Sequence, residues 1–347
     1  MNNVIEIDIK DINIDKINVA AELIKEGKLV AFPTETVYGI GANALDRDAV
    51  NKIFKIKQRP ANDPIIVHIS NINQITDIAI NVPEIAFKLA KKFWPGPLTL
   101  ILKRNEKVPS NVSSDLPTIA VRMPSHKIAL SLIESAQRPI AAPSANMFTK
   151  PSSTRGAHVV EDFKDQLDLI IDGGEADIGV ESTVLDLNSE QPTVLRPGGL
   201  SIEDIKSVVP ELKIHPKYID TDSSSSSPGM LTKHYSPKAN LLMYEGDSEE
   251  QKLEKMLEEA SRLSKEGHLL GFLAHEEQVD KIKDSQFKVF NLGSNDNFED
   301  FAKNLYDGMR SLDKENVDTI LVSAPNKNGL GLAIWDRLFR AAECQIR

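Results

Sequence analysis

Residues 223–227 are five consecutive serines followed at once by Pro228-Gly229, and this run sets the firmest limit on how the chain can fold. Small polar residues have nothing to bury, so the run takes no part in a core and reads as a flexible linker. It divides 347 residues into two stretches, each long enough for its own core at the usual ~100–200 residues per domain.

The two stretches carry different patterns. Before the serines, short apolar runs at 29–32, 65–69, 98–102, 119–123, 140–142, 169–171, 183–187 and 193–195 read as strands. Helical spacing marks only 14–26, 49–57, 82–93 and a stretch near 201–209. Strands outnumber helices too heavily for strict alternation, which predicts a mixed sheet. Beyond the linker, helix and strand alternate: a stripe at Leu253, Met256, Leu257, Ala260 and Leu263, strands at 268–273 and 287–292, and a second stripe at Phe298, Phe301, Leu305 and Leu312. A strand at 319–322 and a helix at 333–342 complete a small parallel α/β domain of Rossmann-like type.

Composition narrows the function. A net charge of −10 gives the chain little to gain from releasing counterions, so gripping nucleic acid is not its main task, and any anionic ligand needs a local cationic cluster. The lone cysteine, Cys344, cannot form an internal disulfide or a Cys-rich zinc site. MNNVIEIDIK lacks the apolar core of a signal peptide and no run approaches ~18 apolar residues, so a cytoplasmic protein with no membrane partner is expected.

The commonest nucleotide motifs are missing. There is no Gly-x4-Gly-Lys-Ser/Thr loop, and Gly39-x-Gly41 lacks the third glycine of a dinucleotide fingerprint. His275-Glu276-Glu277 begins like a zinc protease motif but meets Val279 where the second histidine belongs.

What remains is a set of polar residues at strand ends. Residues 29–70 place Thr34-Glu35-Thr36, tight glycines, Lys57-x-Arg59 and His68 between two apolar strands. Lys57 and Arg59, with Lys52 and Lys55 upstream, are either a solvated helix face or a phosphate site. The loop fixed by Pro60 and Pro64, and the basic locale in an acidic chain, favour the second. Ser144 and Asn146 leave a short strand within Pro143-Ser144-Ala145-Asn146, where an α/β sheet places ligands and where any turn would also use such residues. Arg122 and Arg196 each end a β-rich run just ahead of a proline. His68 within an apolar strand reads by default as a core histidine, and Thr36 and Ser182 as strand or turn hydroxyls. Met230 to Pro237 combine lysine, histidine and tyrosine, unusual for a spacer, which predicts that this segment docks on something.

Taken together these elements closely resemble the long form of the threonylcarbamoyl-AMP synthases. The matching runs are FPTETVYGIGANA, KQRP, PIIVHI, FWPGPLTLIL, TIAVRMP, PIAAPSAN, IIDGG, GVESTVLDL, LRPG, SPGMLTKHYSP and GLGLAIWDRLFRAA, spread over nearly the whole chain. The resemblance implies a YrdC-like mixed twisted sheet with a concave basic cavity over 1–211, a flexible linker over 212–239 that folds across the active site, and a Rossmann-like domain over 240–347. It implies condensation of L-threonine, bicarbonate and ATP, with Mg²⁺, into threonylcarbamoyl-adenylate and pyrophosphate. A separate transferase would then place the threonylcarbamoyl group on tRNAs reading ANN codons.

Carried over residue by residue, the catalytic signature becomes Lys57, Arg59, Ser144 and Asn146. ATP would meet Arg59, Asp63, Thr118, Ser144, Ser152, Arg196 and Tyr235, and threonine would meet Thr36, His68, Arg122, Ala142 and Ser182. Lys57, Arg59 and Arg196 would offset the phosphates. One departure stands out: Asn62-Asp63-Pro64 puts a carboxylate where the family pattern has asparagine before the proline, and it would repel phosphate unless it meets the metal. Two rivals remain. Carbamoyl-adenylate chemistry of hydrogenase maturation would bring zinc-finger cysteines, which are missing, and an RNA-binding module would need a basic groove able to touch tRNA.

Overall fold

The strand Val30–Phe32 turns straight back into Gly39–Asn43, pairing antiparallel with Val30 opposite Gly41 and Phe32 opposite Gly39. The loop expected to open at Thr34 therefore contains a strand of its own. Its glycines hide it from an apolar-run reading. A Cβ on Gly41 would stand 2.8 Å from both the Phe32 ring and Ile140, so glycine is what lets neighbouring strands close over Phe32. Thr34 fixes the turn, its hydroxyl accepting from the amides of Thr36 and Val37 at 3.3 and 3.2 Å.

This hairpin lies within a twelve-stranded mixed sheet of the computed structural model, which describes residues 3–215, 234–282 and 286–347. Strand order across the sheet is Val4–Glu6, Leu169–Asp172, Val30–Phe32, Gly39–Asn43, Ile140–Ala141, Ile66–His68, Thr118–Arg122, Leu98–Arg104, Thr183–Asp186, Thr193–Arg196 and Lys213–Ile214, with Ala79–Ile80 pairing beside Leu98–Arg104. Two of its helices were not legible as helices: Lys127–Ala136 and Gly156–Phe163. The first packs Ala129, Leu132 and Ile133 with Ile17, Ala20, Ala21 and Ile24 of the helix Ile14–Lys25. Its sequence sits between two apolar strands, and apolar residues on both sides mask a 3.6-residue period.

The chain divides into two compact units. The first comprises Met1–Phe148, Ser152–Asp177 and Glu181–Leu231, and the second Thr149–Pro151, Ile178–Val180 and Thr232–Arg347. The second unit holds four parallel strands in the order Asn240–Tyr244, Thr319–Ser323, Leu270–Ala274 and Lys288–Asn291. The expected alternation is present, with Asn240–Tyr244 as an additional first strand. Helices Glu249–Lys265, Phe298–Lys314 and Gly331–Ala341 complete the unit. Gly308 keeps the middle one close, since a Cβ there would lie 2.7 Å from Leu273 and from Phe290. The serine run and most of the expected linker, 216–233, lie outside the described residues.

Candidate active site

Strand pairing brings His68, Arg122, Ser182 and Arg196 to one end of the sheet. Ile66–His68 and Thr118–Arg122 run parallel with His68 opposite Arg122, so both side chains leave the same end of the sheet. Arg122 is 3% exposed and its guanidinium is held on three sides. Nη1 donates to Thr36 Oγ1 at 2.9 Å, Nε to the Gly96 carbonyl at 3.3 Å, and Nη2 lies 2.6 Å from Glu35 Oε1. A guanidinium locked in this way keeps one orientation, which suits a planar carboxylate.

His68 beside it is a neutral imidazole. Burial, followed by the charge of Arg122, pushes its pKa down to about 3. Its Nδ1 is buried with no hydrogen-bond partner among the described residues.

The next strands add two more candidates at this end. Arg122 reaches the Gly96 carbonyl, and the neighbouring Pro97 carbonyl accepts from the amide of Thr183, which places Ser182 alongside. Ser182 Oγ is 2.7 Å from Thr99 Oγ1. Arg196, the last residue of its strand, donates to the Ser182 carbonyl at 3.2 and 3.0 Å through Nε and Nη2. Ser152 Oγ donates to Glu181 Oε1 at 2.6 Å, one residue away from Ser182. Ala142 is buried, and its amide donates to Ile66 at 2.9 Å.

The opposite end of the same strands, where Ala142 meets Ile66, carries the remaining candidates of the first unit. The helix Arg47–Lys57 is capped by the Asp46 carboxylate and stopped by Gln58 in the left-handed region. Its final residue, Lys57, is 1% exposed, so it is no solvated face. Its ammonium is directed at backbone, donating to the Ser144 carbonyl at 2.7 Å and also to that of Asn146. Lys57 was expected on the phosphates; in the structure it clamps the Ser-x-Asn loop, because buried carbonyls there require a donor. Ser144 stays half-exposed on that clamped loop, and the Asn146 amide donates to Met147 at 2.8 Å.

Arg59 Nη2 lies 2.9 Å from the fully buried Asp63 carboxylate and donates to the Pro64 carbonyl at 2.8 Å. Asp63 thus meets an arginine, which relieves the repulsion expected of a carboxylate at that place. Thr118 begins the strand that Arg122 ends, about 13 Å away at ~3.3 Å per residue. Tyr235 belongs to the second unit. There it is fully buried, 4.0 Å from the His234 ring, 5.7 Å from the Tyr306 ring and 5.0 Å below the Arg337 guanidinium.

Three residues at the site went unassigned on sequence. Glu35 and Glu181 stand directly before Thr36 and Ser182, and two glutamates each preceding a site hydroxyl were the available signal. Gly198 is the third: a Cβ there would lie 2.3–2.5 Å from the backbone of Glu181, Ser182 and Thr183, so the Pro-Gly-Gly turn supports the serine directly.

A mixed sheet with cationic and hydroxyl groups at its strand ends, joined to a parallel α/β unit, defines a YrdC-like enzyme with a Rossmann-like partner domain. Family comparison agrees: a model described as "Telomere recombination" matches residues 22–198, and one described as "Threonylcarbamoyl-AMP synthase, C-terminal domain" matches 200–343. A threonylcarbamoyl-AMP synthase of Pyrococcus abyssi is 47% identical, with 95% of each chain covered. Its Bacillus subtilis counterpart is 42% identical over 95% of this chain and 94% of that one. The crystal structure of Pyrococcus abyssi Sua5 complexed with L-threonine superposes with a TM-score of 0.94 at 46% identity, covering 99% of this chain and 98% of that one. The chain belongs to the threonylcarbamoyl-AMP synthase family, nucleotidyltransferases of tRNA threonylcarbamoyl modification. Among the described residues no helix is long and apolar enough to cross a membrane.

Proposed function

We propose that this enzyme, working in the cytoplasm, condenses L-threonine, bicarbonate and ATP into threonylcarbamoyl-adenylate and pyrophosphate. The product would feed a transferase acting on tRNAs that read ANN codons, and any contact with tRNA itself would be weak in so acidic a chain. The observation that carries this reading is the locked Arg122 guanidinium, bonded to Thr36 and flanked by a neutral His68. It offers an amino-acid carboxylate one fixed cation and a hydroxyl. A relative with this fold has been solved with L-threonine bound.

In this reading Arg122 takes the threonine carboxylate, with Thr36, His68, Ser182 and the Ala142 backbone around the rest of the amino acid. Carbon addition to the amine gives a carbamate, whose oxygen attacks the α-phosphorus in line as pyrophosphate leaves. Two anions are brought together, and a unit-charge pair ~4 Å apart costs about 4 kcal/mol at an effective dielectric near 20. Arg196 and Arg59 would offset that repulsion. Ser144 and Asn146 present the loop that Lys57 fixes, while Asp63, Thr118 and Ser152 would contact ATP.

Mg²⁺ would accompany ATP. Among the described residues no three His, Cys, Asp or Glu side chains cluster to hold a metal, and Asp63 and Glu181 are already engaged by Arg59 and Ser152. Mg²⁺ prefers to keep waters and bind through substrate phosphates, so the ion would ride on the nucleotide phosphates.

The test is pyrophosphate release from ATP with bicarbonate, comparing threonine, serine and no amino acid. Threonine should stimulate release well above the other two, and equal rates in all three would reject the assignment.

A further inference from the structure

Glu35 is a buried carboxylate that the scheme above does not use. It is 4% exposed, and among the described residues its one charged neighbour at contact distance is Arg122, 2.6 Å from Oε1. Beyond that ion pair neither carboxylate oxygen has a hydrogen-bond partner among the described residues. The nearest backbone donors do not serve it, because the amides of Thr36 and Val37 both go to Thr34 Oγ1. Glu181, the matching glutamate on the other side of the site, is by contrast bonded to Ser152. Carboxylates kept for structure are hydrogen-bonded when buried; one left without donors in a ligand site is set for a donor that the ligand brings.

Resting on the proposed function, we infer that Glu35 receives the α-ammonium group of the amino acid and takes the proton that the amine must lose. Arg122 and Glu35 form a buried plus–minus pair at the place where a zwitterion would bring minus and plus. The substrate carboxylate faces Arg122 and its ammonium supplies the donors that Glu35 lacks. An ammonium nitrogen has no lone pair, so carbon addition requires deprotonation first. The proton passes from nitrogen to the Glu35 carboxylate and then to bicarbonate, which breaks a C–O bond to give carbon dioxide and water. The freed amine forms the new C–N bond to that carbon and sheds its second proton to solvent, leaving the carbamate. The sum is ammonium plus bicarbonate going to carbamate, water and one proton. Arg122 and His126 are the charged and titratable groups facing Glu35; His126 is itself held below its usual pKa by burial, against the opposing pull of Glu35 and Asp177, and so adds no competing cation.

The experiment compares wild type with Glu35→Gln in threonine-dependent pyrophosphate release between pH 6.5 and 9.5, with threonine affinity measured by calorimetry. Near neutrality the variant should be ~10²-fold slower, the usual size of a lost general base. The deficit should shrink as pH rises toward the pKa of the amino group, where free amine becomes abundant; a purely structural defect would not be rescued by base. An equal rate, or a deficit constant with pH, overturns the proposal. Should the variant not fold, wild type decides alone: 2,3-dihydroxybutanoate, which lacks the amine, should bind at least tenfold more weakly than threonine, and equal binding overturns the inference. A wild type showing no threonine-stimulated release would instead reject the parent function and leave its own distinct signature.

Discussion

The ammonium of Lys57 donates to the carbonyl oxygen of Ser144 at 2.7 Å, joining a helix end to a loop 87 residues further along the chain. A second bond to Asn146 closes the clamp around both members of the Ser-x-Asn pair. Lys57→Met keeps the aliphatic stem but leaves two carbonyls without their donor, at about 1–3 kcal/mol each. Denaturant unfolding should therefore show a loss of ~2–6 kcal/mol. Pyrophosphate release should fall more than tenfold at temperatures where the variant is fully folded. Undiminished stability would show that the clamp holds nothing.

Arg122 makes its contacts with all three sides of a planar fork, so a lysine in its place is not a conservative change. Arg122→Lys retains one charge but cannot meet Thr36, Gly96 and Glu35 together. The KM for threonine should rise ten- to a hundredfold, equivalent to about 1.4–2.7 kcal/mol, while the KM for ATP changes little. Parallel rises in both constants would mean that Arg122 serves the nucleotide.

How far the sequence discloses this arrangement depends on what each feature relies on. Lys57, Arg59, Ser144 and Asn146 stand out in short motifs, yet the partners of Lys57 are backbone carbonyls, which no side-chain pattern can announce. The hairpin strand Gly39–Asn43 is built from glycines whose value lies in what packs against them, Phe32 and Ile140, and that is information from distant chain. The second sheet was readable because each helix carries one apolar stripe, as in Phe301, Leu305 and Leu312. Lys127–Ala136 does carry one apolar face, Ile128, Ala129, Leu132, Ile133 and Ala136, but it is short and lies between apolar strands, so its stripe did not stand out. Glu35 looked like part of a turn until the fold buried it against Arg122.

Gly198 offers a test of support at a distance from any charge. Its α-carbon lies so close to the Glu181–Thr183 backbone that a methyl group would sit 2.3–2.5 Å from main-chain atoms, which cannot swing aside as a flexible side chain would. Gly198→Ala should therefore displace Ser182 and the bonds that Arg196 makes to it. Overpacking of this kind costs about 1–3 kcal/mol in unfolding experiments. Activity should fall by at least tenfold, with the loss in kcat as well as in KM. Wild-type kinetics in the alanine variant would show that the backbone here relaxes freely.

The depressed pKa of His68 makes stability depend on pH in a definite direction. Burial, then the positive charge of Arg122, keep the imidazole neutral in the fold down to about pH 3, whereas in the unfolded chain it takes a proton near its ordinary value of about 6.5. Between those limits the unfolded state binds the extra proton. The stability tied to neutral His68 is complete above about pH 6.5 and is lost as pH falls toward 3, at ~1.4 kcal/mol per pH unit for one proton. His126 and His275 are also lowered by burial and contribute with the same sign. Replacing His68 with Asn removes one of these protons, so the slope of unfolding free energy against pH between 6.5 and 4 should become shallower by about 1.4 kcal/mol per unit, whatever the variant's absolute stability. Denaturant titrations at half-unit pH steps measure that slope directly. Identical slopes in the two proteins would mean that His68 is protonated in the folded enzyme, and the neutral imidazole beside Arg122 would have to be abandoned.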